Sequence, residues 1–193
     1  MSNTNRQWKL AAHPKGLIAL SDLQLSESPC PVLQEGQAIA RVKLLSIDPT
    51  MLIWMADIPQ YMPPVALGEV MRAFGFAEVV ESRHPDFKKG DKIVGLTGLQ
   101  DYVVIGSGAL PTFQKVPSIP FLSDSSFLGT LGINGLTAYF GLLEIGKPQS
   151  GETLVVSAAA GATGSIVCQL GKMHPDPSIT RRYGSPLTGE EGV

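Results

Sequence analysis

The chain has 193 residues, 44% of them hydrophobic and 17% charged, with a formal net charge of −2. That is enough apolar material for a sizeable core in one large or two small domains, and too little charge for an electrostatic footprint on nucleic acid or anionic membrane. Cys30 and Cys168 stand apart, without C-x-x-C spacing, which suits thiols in a reducing compartment better than a disulfide framework.

The stretch Met1–Leu10 lacks the apolar core of a signal peptide, so the expected location is cytoplasmic. Gln7 to Leu10 and Leu17 to Leu25 read as strands around a turn at His13–Gly16, and Ser26–Pro31 as an extended linker. In Ala38–Leu45 the residues Ala38, Ala40, Val42 and Leu44 alternate with the other face, the period of a half-buried strand. Ser46–Thr50 breaks it and leads to a short apolar helix or loop at Met51–Met55. Pro59, Pro63 and Pro64 then forbid regular structure. Leu67–Arg72, Gly75–Glu81, Lys92–Gly95 and Leu99–Ile105 read as further strands, with a turn at Phe87–Asp91. So many short strands, punctuated by Gly and Pro, predict a β-barrel-like domain over residues 1–120.

Ser123 or Asp124 can cap a helix over Ser125–Leu131. Gly132 interrupts it, Leu136–Leu143 continues as a second apolar helix, and Gly146 can end that helix in a left-handed cap, with Pro148 beyond.

Glu152–Lys172 reads as a buried strand, a small-residue turn and a helix. Leu154, Val155 and Val156 form an apolar run, Ala158 to Gly164 have almost no side-chain bulk, and Ile166, Val167, Leu170 and Met173 return at helical spacing. Such a unit lets backbone approach a pyrophosphate at a helix N-terminus. The G-x-G-x-x-G pattern appears as Ala159-Ala160-Gly161-Ala162-Thr163-Gly164, with alanine in the first glycine's place. A plain α/β core and a membrane span remain open; Ser157, Thr163, Ser165, Gln169 and the glycines interrupt the latter.

After Met173 come three prolines, three glycines and no apolar periodicity. The tail 174–193 is expected to be irregular and unable to supply the next strand of a parallel sheet.

The motifs Leu67-Gly-Glu-Val-Met-Arg72, Glu78-Val-Val-Glu-Ser82, Gly90-Asp91, Gln100-Asp-Tyr102, Gly135–Gly146 and Ser157–Ser165 together resemble the medium-chain dehydrogenase/reductase superfamily. Within it they are most similar to the zinc-independent prostaglandin reductase (leukotriene B4 12-hydroxydehydrogenase) group. The resemblance runs from about residue 7 to Met173. It implies a mixed α/β fold: a GroES-like β-barrel catalytic domain, 1–120, followed over 121–173 by connecting helices and the first strand–turn–helix of an incomplete Rossmann domain. It also implies NADPH, and hydride transfer to the β-carbon of an enone or enal. A homodimer is compatible with this reading.

Departures accompany the likeness. The family's Asp-Pro-Tyr-Met-Arg is Asp48-Pro49-Thr50-Met51-Leu52 here, which removes an aromatic and a cation. Met71-Arg72-Ala73-Phe74 replaces a more glycine-rich turn. Beyond Met173 no position matches the family's lysine, tyrosine and asparagine cofactor contacts. A premature stop, alternative splicing or a shifted frame would each give this pattern, and reductase activity is then expected to be weak or absent. The alternative is a noncatalytic GroES-like module or partner-binding fragment without cofactor binding.

Ala160, Gly161, Ala162, Thr163, Gly164 and Ser165 are the candidates for cofactor binding, as backbone donors to pyrophosphate. Asn134 and Thr137 lie where the family's helix faces the cleft and are candidates for nicotinamide or substrate contact. Tyr61, on the Pro-rich loop, is the candidate substrate residue, and Tyr139 reads as core. Asp176 lies between prolines and reads as loop; Arg181 and Arg182 read as a solvated basic pair. No metal site is expected, because His13, His84 and His174 are far apart and neither cysteine has ligand spacing.

Overall fold

The computed structural model describes residues 4–106, 113–173, 180–184 and 191–192. The chain divides into two compact units, Met1–Asp124 and Ser125–Val193.

In the first unit β1 (Thr4–Leu10) and β2 (Leu23–Pro29) form an antiparallel ribbon. There follow β3 (Ala38–Leu45), α1 (Thr50–Met55), β4 (Phe74–Ser82), β5 (Lys92–Leu96), β6 (Tyr102–Ile105) and β7 (Phe113–Lys115). The five later strands make an antiparallel sheet in the order β6-β3-β4-β5-β7. β1 fastens to that sheet's connections: the Trp8 N–H donates to the Leu99 carbonyl at 2.9 Å and the Met71 N–H to the Trp8 carbonyl at 2.8 Å. The register of β3 against β4 shifts between Ile39 and Ala40 and again between Val42 and Leu44. Such irregularities sharpen twist and help a sheet curl.

Three apolar clusters of described residues fill this unit. Small residues Ala38, Ala40 and Ala77 leave room for Val79, Ile93 and Ile105 on one side. Ile39 and Tyr102 turn the other way to cover Leu33, so β3 starts buried on both faces and the simple alternation expected of it does not hold. The third cluster gathers Leu10, Trp54, Met55, Val65, Met71 and Leu99. It forms because α1 is short and apolar; Met51, Trp54 and Met55, at i, i+3 and i+4, are its buried residues. Each fully covered side chain of this size contributes roughly 1.5–3 kcal/mol.

A 3₁₀ turn at Asp124–Phe127 spans the boundary of the units, and the second unit continues with α2 (Ile133–Tyr139), a π-helical segment Phe140–Gly146, β8 (Thr153–Ser157), α3 (Ala162–Met173), β9 (Thr180–Gly184) and β10 (Glu191–Gly192). β8 and β9 pair in parallel, Thr153 opposite Thr180 through Ser157 opposite Gly184, and β10 is antiparallel to β9. The crossover between the parallel strands is α3, so the unit is β-α-β.

Several expectations are corrected. The tail does supply a parallel strand, β9, despite its prolines; those precede and follow Thr180–Gly184 and do not interrupt it. Ser26–Pro29 belongs to β2, not to a linker. Leu67–Arg72 is a turn joined to Lys9 by an isolated bridge at Val70, because Gly68 adopts φ 83° and breaks any extended run. The left-handed cap after the π-helical segment is Lys147, φ 44°, not Gly146. Of the helix expected over Ser125–Leu131 only Ser125–Phe127 is helical, as part of the 3₁₀ turn Asp124–Phe127. Tyr139 is 45% exposed, not core, and its ring meets Phe140 edge-on at 5.4 Å.

Candidate functional site

In the second unit β8 ends at Ser157 and the chain turns at once. Ala158 carries the turn with φ 49°, a left-handed conformation that L-residues other than glycine seldom adopt. Its carbonyl points into the turn and accepts the Gly161 N–H at 2.8 Å. α3 begins there: the Ser165 N–H donates to the Gly161 carbonyl at 2.9 Å. The N–H groups of Ala162, Thr163 and Gly164 precede that bond and have no helical acceptor, which makes them donors for an anion at the positive end of the helix dipole. Ala160, Gly161 and Ala162 are exposed, and Thr163, Gly164 and Ser165 are half-buried. Gly164 has a steric reason: a Cβ there would collide with the Ala158 carbonyl oxygen. The Ser165 hydroxyl is occupied by the Ala162 carbonyl at 3.1 Å. Against β8, Gly171 lets α3 lie close, since a Cβ would stand 2.5 Å from Leu154 Cδ2.

Asn134 lies beside this turn. The Thr163 hydroxyl donates to Asn134 Oδ1 at 3.0 Å. Thr137, one helical turn further along α2, is exposed and its side chain makes no hydrogen bond among the described residues. The structure thus gathers Asn134 with Ala160–Ser165 inside one unit. Arg181 and Arg182 stand opposite Leu154 and Val155, mid-strand in β9, and the residue level with the turn is Gly184. Asp176 lies outside the described residues. Among the described residues the stretch has three N–H groups ahead of the first helical bond, little side-chain bulk, and a glycine whose place a Cβ could not take.

Tyr61 belongs to the first unit. Its ring is 69% exposed, and its hydroxyl accepts the indole N–H of buried Trp54 at 2.6 Å. The guanidinium of Arg72 lies over the same indole, Cζ 5.5 Å from the ring centroid, with Nη2 donating to the Pro63 carbonyl at 3.0 Å. Trp54 and Arg72 were not expected in this cluster. The available signal was a cation flanked by Met71 and Ala73, both of which are fully buried.

Among the described residues no group of three or more His, Cys, Asp or Glu gathers in metal-binding geometry, and no helix is long and apolar enough to cross a membrane. Burial pushes the Cys168 thiol up, which disfavours the thiolate.

Residues 6–112 match the family described as the N-terminal domain of oxidoreductase. With the parallel β8-α3-β9 unit behind it, the chain belongs to the zinc-independent medium-chain dehydrogenase/reductase family. It is 44% identical over 169 residues to the NADPH-dependent curcumin reductase of Escherichia coli (strain K12), covering 88% of this chain and 48% of that protein. Against prostaglandin reductase 1 of Mus musculus it is 35% identical over 168 residues, covering 87% and 49%. The crystal structure of CurA in complex with NADPH from Vibrio vulnificus superposes with a TM-score of 0.81 at 36% identity, over 93% of this chain and 51% of that one. The fold is accordingly that of a GroES-like domain followed by Rossmann elements, and the chain spans about half the length of these relatives.

Proposed function

We propose that this chain binds NADPH at the Ala160–Ser165 turn and belongs to the reduction of the C=C bond of α,β-unsaturated ketones and aldehydes. The carrying observation is the start of α3, with three N–H groups ahead of its first helical bond and Asn134 locked beside them. Likeness to reductases named for NADPH and for prostaglandin supports the cofactor and the substrate class. When bound, NADPH supplies the hydride. Ala162, Thr163 and Gly164 hold the pyrophosphate through backbone donors. Asn134 fixes the Thr163 hydroxyl and keeps its own amide N–H₂ as a donor. Thr137 offers a hydroxyl on the same helix for nicotinamide or substrate, and Tyr61 lines the substrate side of the first unit. The domain reading is a catalytic β domain over 1–120 and cofactor-binding elements from 121. The protein is read as cytoplasmic, and a homodimer fits that reading.

Turnover by this chain alone is expected to be weak. A second reading, a noncatalytic module that binds a partner, draws on Val155, Ile133 and Leu136, which are 69%, 57% and 55% exposed. NADPH oxidation by the purified chain, with and without an enone, separates the two. A slow enone-dependent rate supports the reductase; a folded chain that neither binds NADPH nor shows an enone-dependent rate favours the module.

A further inference from the structure

β8 lies at the end of its sheet. The order β10-β9-β8 leaves it paired on one side only among the described residues. Its other side carries backbone N–H and C=O groups that can pair with a further strand. Edge strands are commonly blunted by a lysine, a proline or a bulge. Thr153-Leu154-Val155-Val156-Ser157 has none of these. Leu154 lies under α3 at Gly171 and Val156 is buried, whereas Val155 between them is 69% exposed. A β-branched apolar residue thus stands uncovered in the middle of an open edge.

The same five residues are complementary to themselves. Run antiparallel about a two-fold axis through Val155, Thr153 meets Ser157, Leu154 meets Val156, and Val155 meets its own copy. No charge lies within the segment, so like charges do not oppose one another. One step beyond, Glu152 of one copy comes level with Ala158 of the other. Glu152 forms no ion pair among the described residues. Ala158 opens the turn into the positive end of α3. An acidic group therefore faces a helix N-terminus, and the two-fold axis makes that contact twice.

We propose that a second copy of this chain pairs with the first along β8, antiparallel, with Val155 on the axis. The two three-stranded sheets then become one sheet of six strands. Five residues a side is well short of the roughly 20–30 of a standard interface, so the dimer is weak and forms with rising concentration. This pairing goes beyond the cofactor reading and does not depend on it.

The test is sedimentation of the full chain, with NADPH omitted, from about 1 to about 300 µM. Wild type is expected to pass from monomer to dimer across that range. Val155→Lys and Val155→Glu each set like charges against one another on the axis, and each is expected to weaken the dimer about tenfold or more. An equimolar mixture of the two variants sets lysine opposite glutamate and is expected to dimerise again. Position 155 is exposed, so both variants are compatible with folding. Amide hydrogen exchange of the wild type needs no variant: the β8 amides that point away from β9 should be protected in concentrated protein and exchange freely in dilute protein. A wild-type chain that stays monomeric, one that grows into larger assemblies, a dimer unmoved by either variant, a mixture that dimerises no better than each variant alone, or β8 exchange independent of concentration overturns the proposal. Since NADPH is absent, a negative result here leaves the cofactor reading intact, and failure to bind NADPH leaves this interface intact.

Discussion

The Thr163 hydroxyl donates to Asn134 Oδ1 at 3.0 Å, tying the second residue of α3 to the second residue of α2. Through this bond a residue far back in the chain sets the rotamer of a side chain in the dinucleotide turn. Thr163→Val and Asn134→Ala should each cost about 1 kcal/mol in unfolding experiments, and the double variant little more than either alone. Additive losses would mean that the two side chains act separately.

Ala158 holds a left-handed conformation at φ 49° in which a Cβ is unfavourable. Ala158→Gly should relieve this and raise stability by up to about 1 kcal/mol, after the greater freedom of glycine in the unfolded chain is set against it. Ala158→Val should destabilise the same turn, because β-branching makes positive φ worse. Thermal unfolding of the pair checks both signs.

Asp101 fastens β1 to the sheet. Arg6 donates to it through Nε at 2.8 Å and Nη2 at 3.1 Å. The side-chain hydrogen bond from Arg6, aided by its backbone bond and charge, holds the Asp101 carboxyl below its ordinary value of 3.8. A carboxyl with a lowered folded-state pKa contributes stability above its unfolded value and loses it as pH falls through the folded value. Asp101→Asn should therefore be slightly less stable than wild type above about pH 3.8, with the gap closing at lower pH. The effect is small because the pair is largely exposed. A gap that widens as pH falls would contradict this account.

Much of the fold was legible because its signals are local. Ala38–Leu45 is a strand at the expected boundaries because the flanking turns fix them, although its burial does not alternate, and the apolar run Leu154–Val156 lies inside β8. The start of α3 followed from the small residues between Ala158 and Gly164. What failed depended on partners distant in sequence. β9 is polar and short, and it becomes a strand only because the backbone of β8 is there to pair with it. The positive φ falls at Ala158, one residue before the alanine aligned with the missing first glycine, a detail that no sequence pattern of glycines carries. The placement of Arg72 over Trp54 needed the chain to fold back across the Pro-rich loop. Nothing in the spacing of those two residues announced it.

The central claim is that the turn from Ala158 to Ser165 holds NADPH in this chain as it stands. The measurement is a titration of NADPH into the purified 193-residue protein, read by nicotinamide fluorescence, beside Gly164→Val. Valine at that position would place a side chain against the Ala158 carbonyl and close the approach to the turn. Saturable micromolar binding by the wild type, lost in Gly164→Val, is the predicted result. A folded wild-type chain that binds no NADPH, or a folded Gly164→Val chain that binds as well as wild type, would contradict it.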